Sequence, residues 1–141
     1  MFLGEKHGLA PKGDAGRFWV NELQLTIADL VVEAHDSHHP IASGLYYADQ
    51  KAEAKRRAKD FRETRIPKYL DHFELVLSRN PSGPAHLVGA ELTYADLSLF
   101  QAVAGLTYAF PKAMARLAAD YPKVIAPVSY THLTLPTIYS V

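Results

Sequence analysis

Residues 92–99 read Leu-Thr-Tyr-Ala-Asp-Leu-Ser-Leu and carry the most specific local signal in the chain. Thr93 and Asp96 have the spacing of a capping box, in which the side chain of each residue satisfies the backbone N–H of the other at the start of a helix. Aspartate stands here in place of the usual glutamate or glutamine. Leu92 and Leu97 occupy the N′ and N4 positions of a hydrophobic staple. The stretch therefore predicts that a helix begins directly after the threonine.

The helix that follows this box is predicted to run from Tyr94 to about Ala109, and it is apolar nearly all round. A helix that lacks a polar face is typical of the centre of a bundle. A loop is predicted before it at residues 80–84, which read Asn-Pro-Ser-Gly-Pro. A shorter helix, Lys112 to Ala119, is predicted after it. The pattern on both sides of the box thus predicts an all-α fold.

Two longer stretches upstream also have helical periodicity. The first is predicted to run from Asp14 to His35 and to end before Pro40, because proline has no N–H and disfavours helix in the residue before it. The second is predicted from Asp49 to Leu77, with Pro67 either bending it or dividing it into two helices. The basic run at residues 55–59 is interpreted as a solvated helix face, since acidic residues flank it closely. The apolar side chains predicted to share one face of the first helix are Phe18, Leu23, Ile27, Leu30, Val31 and Ala34.

The composition excludes several classes of protein. The 141 residues give room for one domain, and 15 basic residues balance 15 acidic ones. A net charge of zero argues against a nucleic-acid-binding protein. The absence of cysteine excludes disulfides, thiolate zinc sites and cysteine nucleophiles. No apolar run approaches the ~20 residues of a membrane-spanning helix, and the first residues lack the features of a signal peptide. We therefore expect a soluble, cytoplasmic protein.

Together these features resemble the all-helical C-terminal domain of the cytosolic glutathione S-transferases, closest to the pi- and sigma-like classes and their bacterial relatives. The resemblance covers about residues 2–124, and the segment at 87–99 is its most specific part. It implies a glutathione-transferase C-terminal-like helical bundle over residues 14–126. Residues 1–13 resemble the end of a preceding domain and an interdomain linker.

The last residues, 127–141, do not continue this pattern. They exchange helical periodicity for a strand-like composition and resemble translated sequencing-adapter DNA. We therefore expect a non-native tail there, the alternative being a genuine extended tail. A bundle truncated in this way is expected to expose apolar surface near Trp19, Leu99 and Phe100, and to be marginally stable or to self-associate.

The resemblance implies the function of an intact parent protein, which is conjugation of the glutathione thiolate to small hydrophobic electrophiles. This is a detoxification reaction, carried out by a homodimer. In the family, the residue that stabilises the thiolate lies in an N-terminal thioredoxin-like domain, and no βαβ pattern precedes residue 14. We therefore expect this chain to be a fragment that is inactive alone. The alternative is a non-catalytic protein-interaction module, like the transferase-like domains appended to translation factors and stress proteins.

Asp29 is the leading candidate for a binding residue. By the resemblance, it matches an aspartate that reaches across the dimer interface toward the α-ammonium group of glutathione on the neighbouring subunit. A carboxylate and an ammonium form a charge-assisted pair there, whereas the alternative is an ordinary exposed carboxylate. The end of the first helix lines the electrophile pocket in the family, so His35 and His39 are candidate pocket residues. Tyr108 is a third, because its aromatic ring is of the kind that flanks apolar pockets, with core or hinge packing as the alternative.

The histidines at the end of the first helix also raise the question of a metal site. His35 and either His38 or His39 have the spacing with which two imidazoles on one helical face can bind zinc. Pro40 is expected to end the helix before those turns are complete, and no His-Glu-x-x-His motif is present. We interpret the imidazoles instead as groups that interact favourably with the helix dipole, and we predict no metal site.

The capping box, which is structural rather than catalytic, makes a testable prediction. Thr93→Ala removes the N-cap hydroxyl and is expected to lower the free energy of unfolding by about 1 kcal/mol or more. Urea denaturation followed by circular dichroism measures the loss. Thr64→Ala, in the interior of the predicted second helix, is the control and is expected to cost nothing, because alanine has the higher helix propensity. Equal effects of the two substitutions would contradict the capping box.

Overall fold

The computed structural model describes residues 1–127, and the structural statements below concern that part of the chain. Its regular structure is helical, and no strand occurs within those residues. A 3-10 turn at Tyr47–Gln50 leads into the third α-helix, and a π-helical turn at Phe61–Arg65 joins the third to the fourth. Residues 122–127 form a further helical segment. The predicted all-α fold is confirmed. The α-helices before that segment are α1 (Phe2–Lys6), α2 (Asp14–Asp36), α3 (Lys51–Asp60), α4 (Ile66–Arg79), α5 (Tyr94–Ala109) and α6 (Pro111–Leu117).

The core forms where α2 packs along α5. Each of these helices buries residues spaced mostly three or four apart, which places them on one face. Phe61 of the π turn and Leu70 and Phe73 of α4 are fully buried as well, so that a third helix closes the core. The buried residues are Val20, Leu23, Ile27 and Leu30 on α2, and Ala95, Leu99, Val103 and Leu106 on α5.

The predicted apolar face of α2 is correct at Leu23, Ile27 and Leu30 and wrong at two other positions. Phe18 is 66% exposed, and Val31 is 53% exposed. Each residue turns an α-helix by about 100°, so Phe18 lies nearly opposite Leu23, and Val31 lies at the edge of the buried face. The apolar residues of this helix are thus more numerous than one packed face can hold.

The predicted second helix begins at Lys51 and reaches Arg79. It is interrupted near Pro67, as expected, and the interruption takes the form of the π-helical turn at Phe61–Arg65. In a regular α-helix the proline ring clashes with the carbonyl four residues earlier. The wider π turn relieves that clash. The chain therefore passes from α3 into α4 through a bulge.

α5 has the predicted bounds, but neighbours do not surround it within residues 1–127. Leu97 is 47% exposed and Phe100 is only partly buried, so the expectation of a helix at the centre of the bundle is wrong for this part of the chain. Leu99 lies on the buried face and is 6% exposed, which corrects the expectation of open surface there. One side of α5 fills the core, and the other side borders a cleft.

Asp96 anchors both the start of α5 and the loop before it. Its Oδ2 accepts a hydrogen bond from the Thr93 N–H at 2.8 Å, and both halves of the predicted capping box are formed. Its Oδ1 accepts a hydrogen bond from the Leu87 N–H at 2.7 Å, a contact that the sequence did not indicate. Leu92 and Leu97, the proposed staple, are 42% and 47% exposed. The box is therefore confirmed, and it also serves as a clamp on the loop.

Asn80 organises the loop that Asp96 holds. Its side-chain N–H groups donate to the carbonyls of His86 at 2.7 Å and Gly89 at 2.8 Å. Its side-chain oxygen, Oδ1, accepts a hydrogen bond from the Ser82 N–H at 3.1 Å. Gly89 has a φ of +69°, in the left-handed region where a side chain would be strained. The loop thus has a defined shape on the surface between α4 and α5.

The carboxylate of Asp96 is expected to contribute more to stability than the Thr93 hydroxyl. Asp96→Ala leaves the N–H groups of Thr93 and Leu87 without their acceptor, and hydrogen bonds to a charged group are worth about 1.5–3 kcal/mol. We expect a loss of about 2 kcal/mol in urea denaturation. Glu22→Ala removes an exposed carboxylate on α2 and is the matched control. A loss no larger than that of the control would contradict this role.

Candidate functional site

A cleft of about 810 Å³ lies between α2 and α5. Its lining is mostly apolar, with a few polar side chains and no acidic or basic one apart from a histidine. Such a mixture is typical of sites for small molecules. The apolar side chains of the lining are Ile27, Leu30, Val31, Val32, Leu97, Leu106 and Phe110, and the polar ones are Gln24, His38, Ser98 and Gln101.

Small residues on α5 leave room for this cleft. Ala102, Gly105 and Ala109 follow one another at spacings of three and four, and all three line it. A Cβ added at Gly105 would meet nothing within 4 Å. Ala28 of α2 lines the cleft as well. The two helices pack in the core through large side chains. On their outer sides the small residues leave space unfilled, and this space is the cleft.

Two polar groups in the lining have unusual surroundings. The Oε1 atom of Gln24 is buried and has no hydrogen-bond partner among residues 1–127. The Nδ1 atom of His38 lies 3.1 Å from the Ser37 hydroxyl, which itself donates to the Ala34 carbonyl at 2.6 Å. Because the Ser37 hydroxyl donates its hydrogen to that carbonyl, its oxygen accepts a hydrogen bond from Nδ1 of His38. Nε2 is then the ring nitrogen that can accept a hydrogen bond. The ring also lies 6.2 Å from that of Phe110. One end of the cleft thus carries a positioned imidazole.

The structure places the predicted site residues outside this lining. Asp29 is exposed on α2, and no residue within 1–127 forms an ion pair with it. His35 and His39 stack on each other, with ring centroids 5.2 Å apart, and His35 Nδ1 lies 3.3 Å from Asp36. Tyr108 is 91% exposed. The structure therefore brings the two histidines together, and the roles given to these four residues stay predictions.

Gln50 holds the segment that follows α2, and sequence reasoning missed it. Its side chain is fully buried. Oε1 accepts from the Ile41 N–H at 3.0 Å, while Nε2 donates to the carbonyls of Ala42 at 3.0 Å and Leu45 at 3.1 Å. Nε2 also lies 3.2 Å from Nδ1 of His39. A single glutamine thus fixes the course of the chain just beyond the histidines, and no periodic pattern in the sequence marks such a residue.

Glu33 ties the end of α2 to the π turn. Its carboxylate accepts two hydrogen bonds from Arg65, at 2.8 and 2.6 Å, and one from the Tyr69 hydroxyl at 2.9 Å. Arg57 lies 3.6 Å away as a second cation. The hydrogen bonds from Arg65 hold the pKa of Glu33 below its usual value, and burial raises the pKa of Tyr69. The partners of Glu33 lie 32 and 36 residues away in sequence and could not be inferred from spacing.

Two other kinds of feature do not occur in residues 1–127. No group of three or more histidine, aspartate or glutamate side chains there could hold a metal ion. No helix in the same range has the length and apolar character needed to cross a membrane.

Comparison with known families gives a match. A family model described as "Glutathione S-transferase, C-terminal domain" matches residues 35–133, well over half of the chain. The match begins at the end of α2 and extends past residue 127, into the segment expected to be a non-native tail. That segment from residue 128 onward lies outside the described residues, and the expectation about it stays a prediction. A comparison with curated proteins finds no match.

The Glu33 cluster makes a prediction about stability and pH. Glu33→Gln breaks the paired hydrogen bonds to Arg65 and is expected to lower the free energy of unfolding by about 2 kcal/mol at neutral pH. Because the pKa of Glu33 is lowered by folding from an ordinary value of 4.5, its contribution is full above that pH and is lost as the pH falls below it. Urea denaturation over a pH series measures the difference between variant and parent.

Glu63→Gln is the control for this prediction. Glu63 is 59% exposed and lies 3.9 Å from Lys59, so its ion pair is expected to contribute little. A stability difference for Glu33→Gln that stays constant down to pH values well below the ordinary carboxyl range would contradict the assigned role.

Proposed function

Because the chain belongs to the family of glutathione S-transferase C-terminal domains, we propose that it is the helical domain of a glutathione transferase and that its α2–α5 cleft receives the hydrophobic electrophile. The observation that carries this proposal is the mostly apolar cleft of about 810 Å³ between two helices of the core. The co-substrate is glutathione, held by a thioredoxin-like domain in the intact parent.

The chemistry of conjugation fits the lining of the cleft. The glutathione thiolate attacks an electrophilic carbon, a C–S bond forms, and the leaving group departs with its electron pair. This reaction needs proximity and the exclusion of water more than it needs a charged group at the electrophile. Ile27, Leu106 and Phe110 supply apolar walls for that purpose, and the lining holds no carboxylate or ammonium.

The polar groups of the cleft are suited to orient a substrate. Ser98 and Gln101 contribute a hydroxyl and an amide to the lining. The positioned imidazole of His38 stands at one end. Groups such as these fix the orientation of a ligand that apolar contacts bind. The predicted pocket residues His35 and His39 lie within three residues of His38 in sequence, and we propose that they complete this end of the pocket in the intact parent.

We further propose that the parent is a cytoplasmic homodimer and that Asp29 reaches the glutathione of the neighbouring subunit. In support, Asp29 is exposed on the same side of α2 as Leu25 and Val32, which are 60% and 58% exposed. A helix face that carries apolar side chains on the surface often marks a protein–protein contact. The same face would also suit the alternative function, a non-catalytic interaction module.

Closing the cleft tests the proposal. Gly105→Leu places a side chain into the open space at the cleft, and the fold is expected to tolerate it, because leucine has the higher helix propensity. We expect this variant to bind the electrophile chlorodinitrobenzene at least tenfold more weakly than the parent chain, as measured by calorimetry without glutathione. Gly44→Leu, in a loop where a Cβ also meets nothing within 4 Å, is the control and is expected to bind unchanged.

Two outcomes would contradict the proposal. The first is a parent chain that shows no saturable binding of the electrophile. The second is equal affinity of the Gly105→Leu and Gly44→Leu variants. Either result would favour the interaction module, whose function needs no small-molecule cleft.

A further inference from the structure

A cavity of about 400 Å³ lies where the π turn, the end of α5 and the start of α6 meet. Three cationic side chains line it, Arg62 of the π turn and Lys112 and Arg116 of α6. This cavity and the α2–α5 cleft share two lining residues, Ala109 and Phe110. The lining contains no carboxylate, and its other residues are Ala109, Phe110, Pro111 and Ala113.

The acidic residues closest to Arg62 in sequence have other cationic partners. Asp60 lies 3.4 Å from Arg57, and Glu63 lies 3.9 Å from Lys59. Over residues 1–127, no acidic side chain forms an ion pair with any of the three cations of the cavity. The positive charge of this cavity is therefore not balanced by the part of the chain that the structure describes.

The two cations of α6 are arranged unfavourably in the absence of an anion. Lys112 and Arg116 are four residues apart, so they lie on one face of the helix about one turn from each other. Like charges at this spacing destabilise a helix, and Arg62 adds a third positive charge from another element. Lys112 and Arg116 are exposed and Arg62 is half-buried, so a ligand can reach all three. An anion bound among them would offset their repulsion.

The arrangement of the three cations suits phosphate better than carboxylate. The oxygens of a phosphate group form a tetrahedron, so one group can contact cations on different sides of a cavity, whereas the two oxygens of a carboxylate lie in one plane. Arginine binds phosphate through paired hydrogen bonds, and lysine binds it as a point charge. A single phosphate group carries about −1.5 to −2 charges at pH 7, which is less than the charge of three cations. Two linked phosphate groups match that charge more closely.

We propose that this cavity binds a soluble anion with two linked phosphate groups. Lys112 and Arg116, one helical turn apart, each bind one of the two groups, and Arg62 contacts them from the side of the π turn. The volume of the cavity falls within the range for small-molecule sites, which is about 300–1,000 Å³. The site does not depend on the proposed transferase function, and we expect Gly105→Leu, which closes the cleft, to leave anion binding unchanged.

Calorimetry on the full chain with inorganic pyrophosphate tests the proposal. The ionic strength is held constant, because salt screens charges at a surface. We expect one pyrophosphate to bind per chain. Orthophosphate, which has only one phosphate group, is expected to bind at least tenfold more weakly. Citrate carries several carboxylates and no phosphate, and it is also expected to bind at least tenfold more weakly.

Substitutions identify the residues that bind the anion. Arg62→Gln, Lys112→Gln and Arg116→Gln are each expected to weaken pyrophosphate binding about tenfold, the effect of one charged hydrogen bond. Arg56→Gln, at an exposed position on α3, is the control and is expected to bind unchanged. Because Lys112→Gln and Arg116→Gln each remove one of two repelling charges, we expect both variants without ligand to be at least as stable as the parent in urea denaturation.

Vesicles distinguish a soluble anion from the headgroup of a membrane lipid, which can carry the same phosphate groups. The probe is a phosphatidylcholine vesicle that contains a phosphatidylinositol bisphosphate. We expect the chain to stay in the supernatant when these vesicles are sedimented. The reason is that Phe110 and Ala113 in the lining are buried and offer no apolar anchor for the bilayer. Sedimentation with the vesicles that is lost in Lys112→Gln would overturn the assignment to a soluble anion.

Three further results would overturn the proposal. One is the absence of saturable pyrophosphate binding up to millimolar concentration. Another is citrate binding as tight as that of pyrophosphate, or an equal loss of affinity in Arg56→Gln and Lys112→Gln, because either would show a diffuse effect of charge. The third is a loss of pyrophosphate binding in Gly105→Leu, which would assign the anion to the α2–α5 cleft.

Discussion

The carboxylate of Asp96 connects the two parts of the molecule on which its cavities depend. One oxygen fixes the start of α5, whose outer side borders the large cleft. The other oxygen fixes the loop through the backbone of Leu87. Leu87 lines a cavity of about 380 Å³ between α2 and the end of α4. Both N–H groups would otherwise lack an acceptor, and a charged acceptor is among the strongest that a protein offers. A short motif at a helix start thus organises two surfaces that lie on different sides of the bundle.

A second constraint acts at the opposite end of α2. Arg65 extends from the π turn to Glu33. Gln50 holds the segment beyond the helix through hydrogen bonds with four backbone groups and a contact with the His39 ring. His38 lies between these two fixed points, and this position sets its place in the wall of the large cleft. Packing of apolar side chains determines where the helices lie. These polar contacts determine which side chain faces the cleft.

The sequence predicted the helices well, whereas the site residues that it proposed do not line the cleft, and the reasons differ. The bounds of α2 and α5 follow from local signals, which are periodicity and the capping box, so they were predicted to within one residue. The buried side of α2 was predicted incompletely, because that helix carries more apolar residues than one face can hold. The histidine cluster was recognised, but the ring that lines the cleft is His38. Its ring lies near those of Tyr47 and Phe110, 9 and 72 residues away in sequence, and no local pattern encodes these contacts.

The π turn has a consequence for how this chain is aligned with its relatives. Between Phe61 and Leu77 the apolar or packed residues recur at every fourth position, a spacing that drifts by about 40° per step on an α-helix. The wider π turn offsets part of that rotation. Residues before and after the turn therefore face the same core, although the positions that they bury do not follow one continuous helical spacing. In a relative that lacks one residue in this turn, the α-helix would continue without the π turn. An alignment that assumes one unbroken helical phase would then pair the wrong residues on one side of the turn, and the gap belongs at residues 61–65.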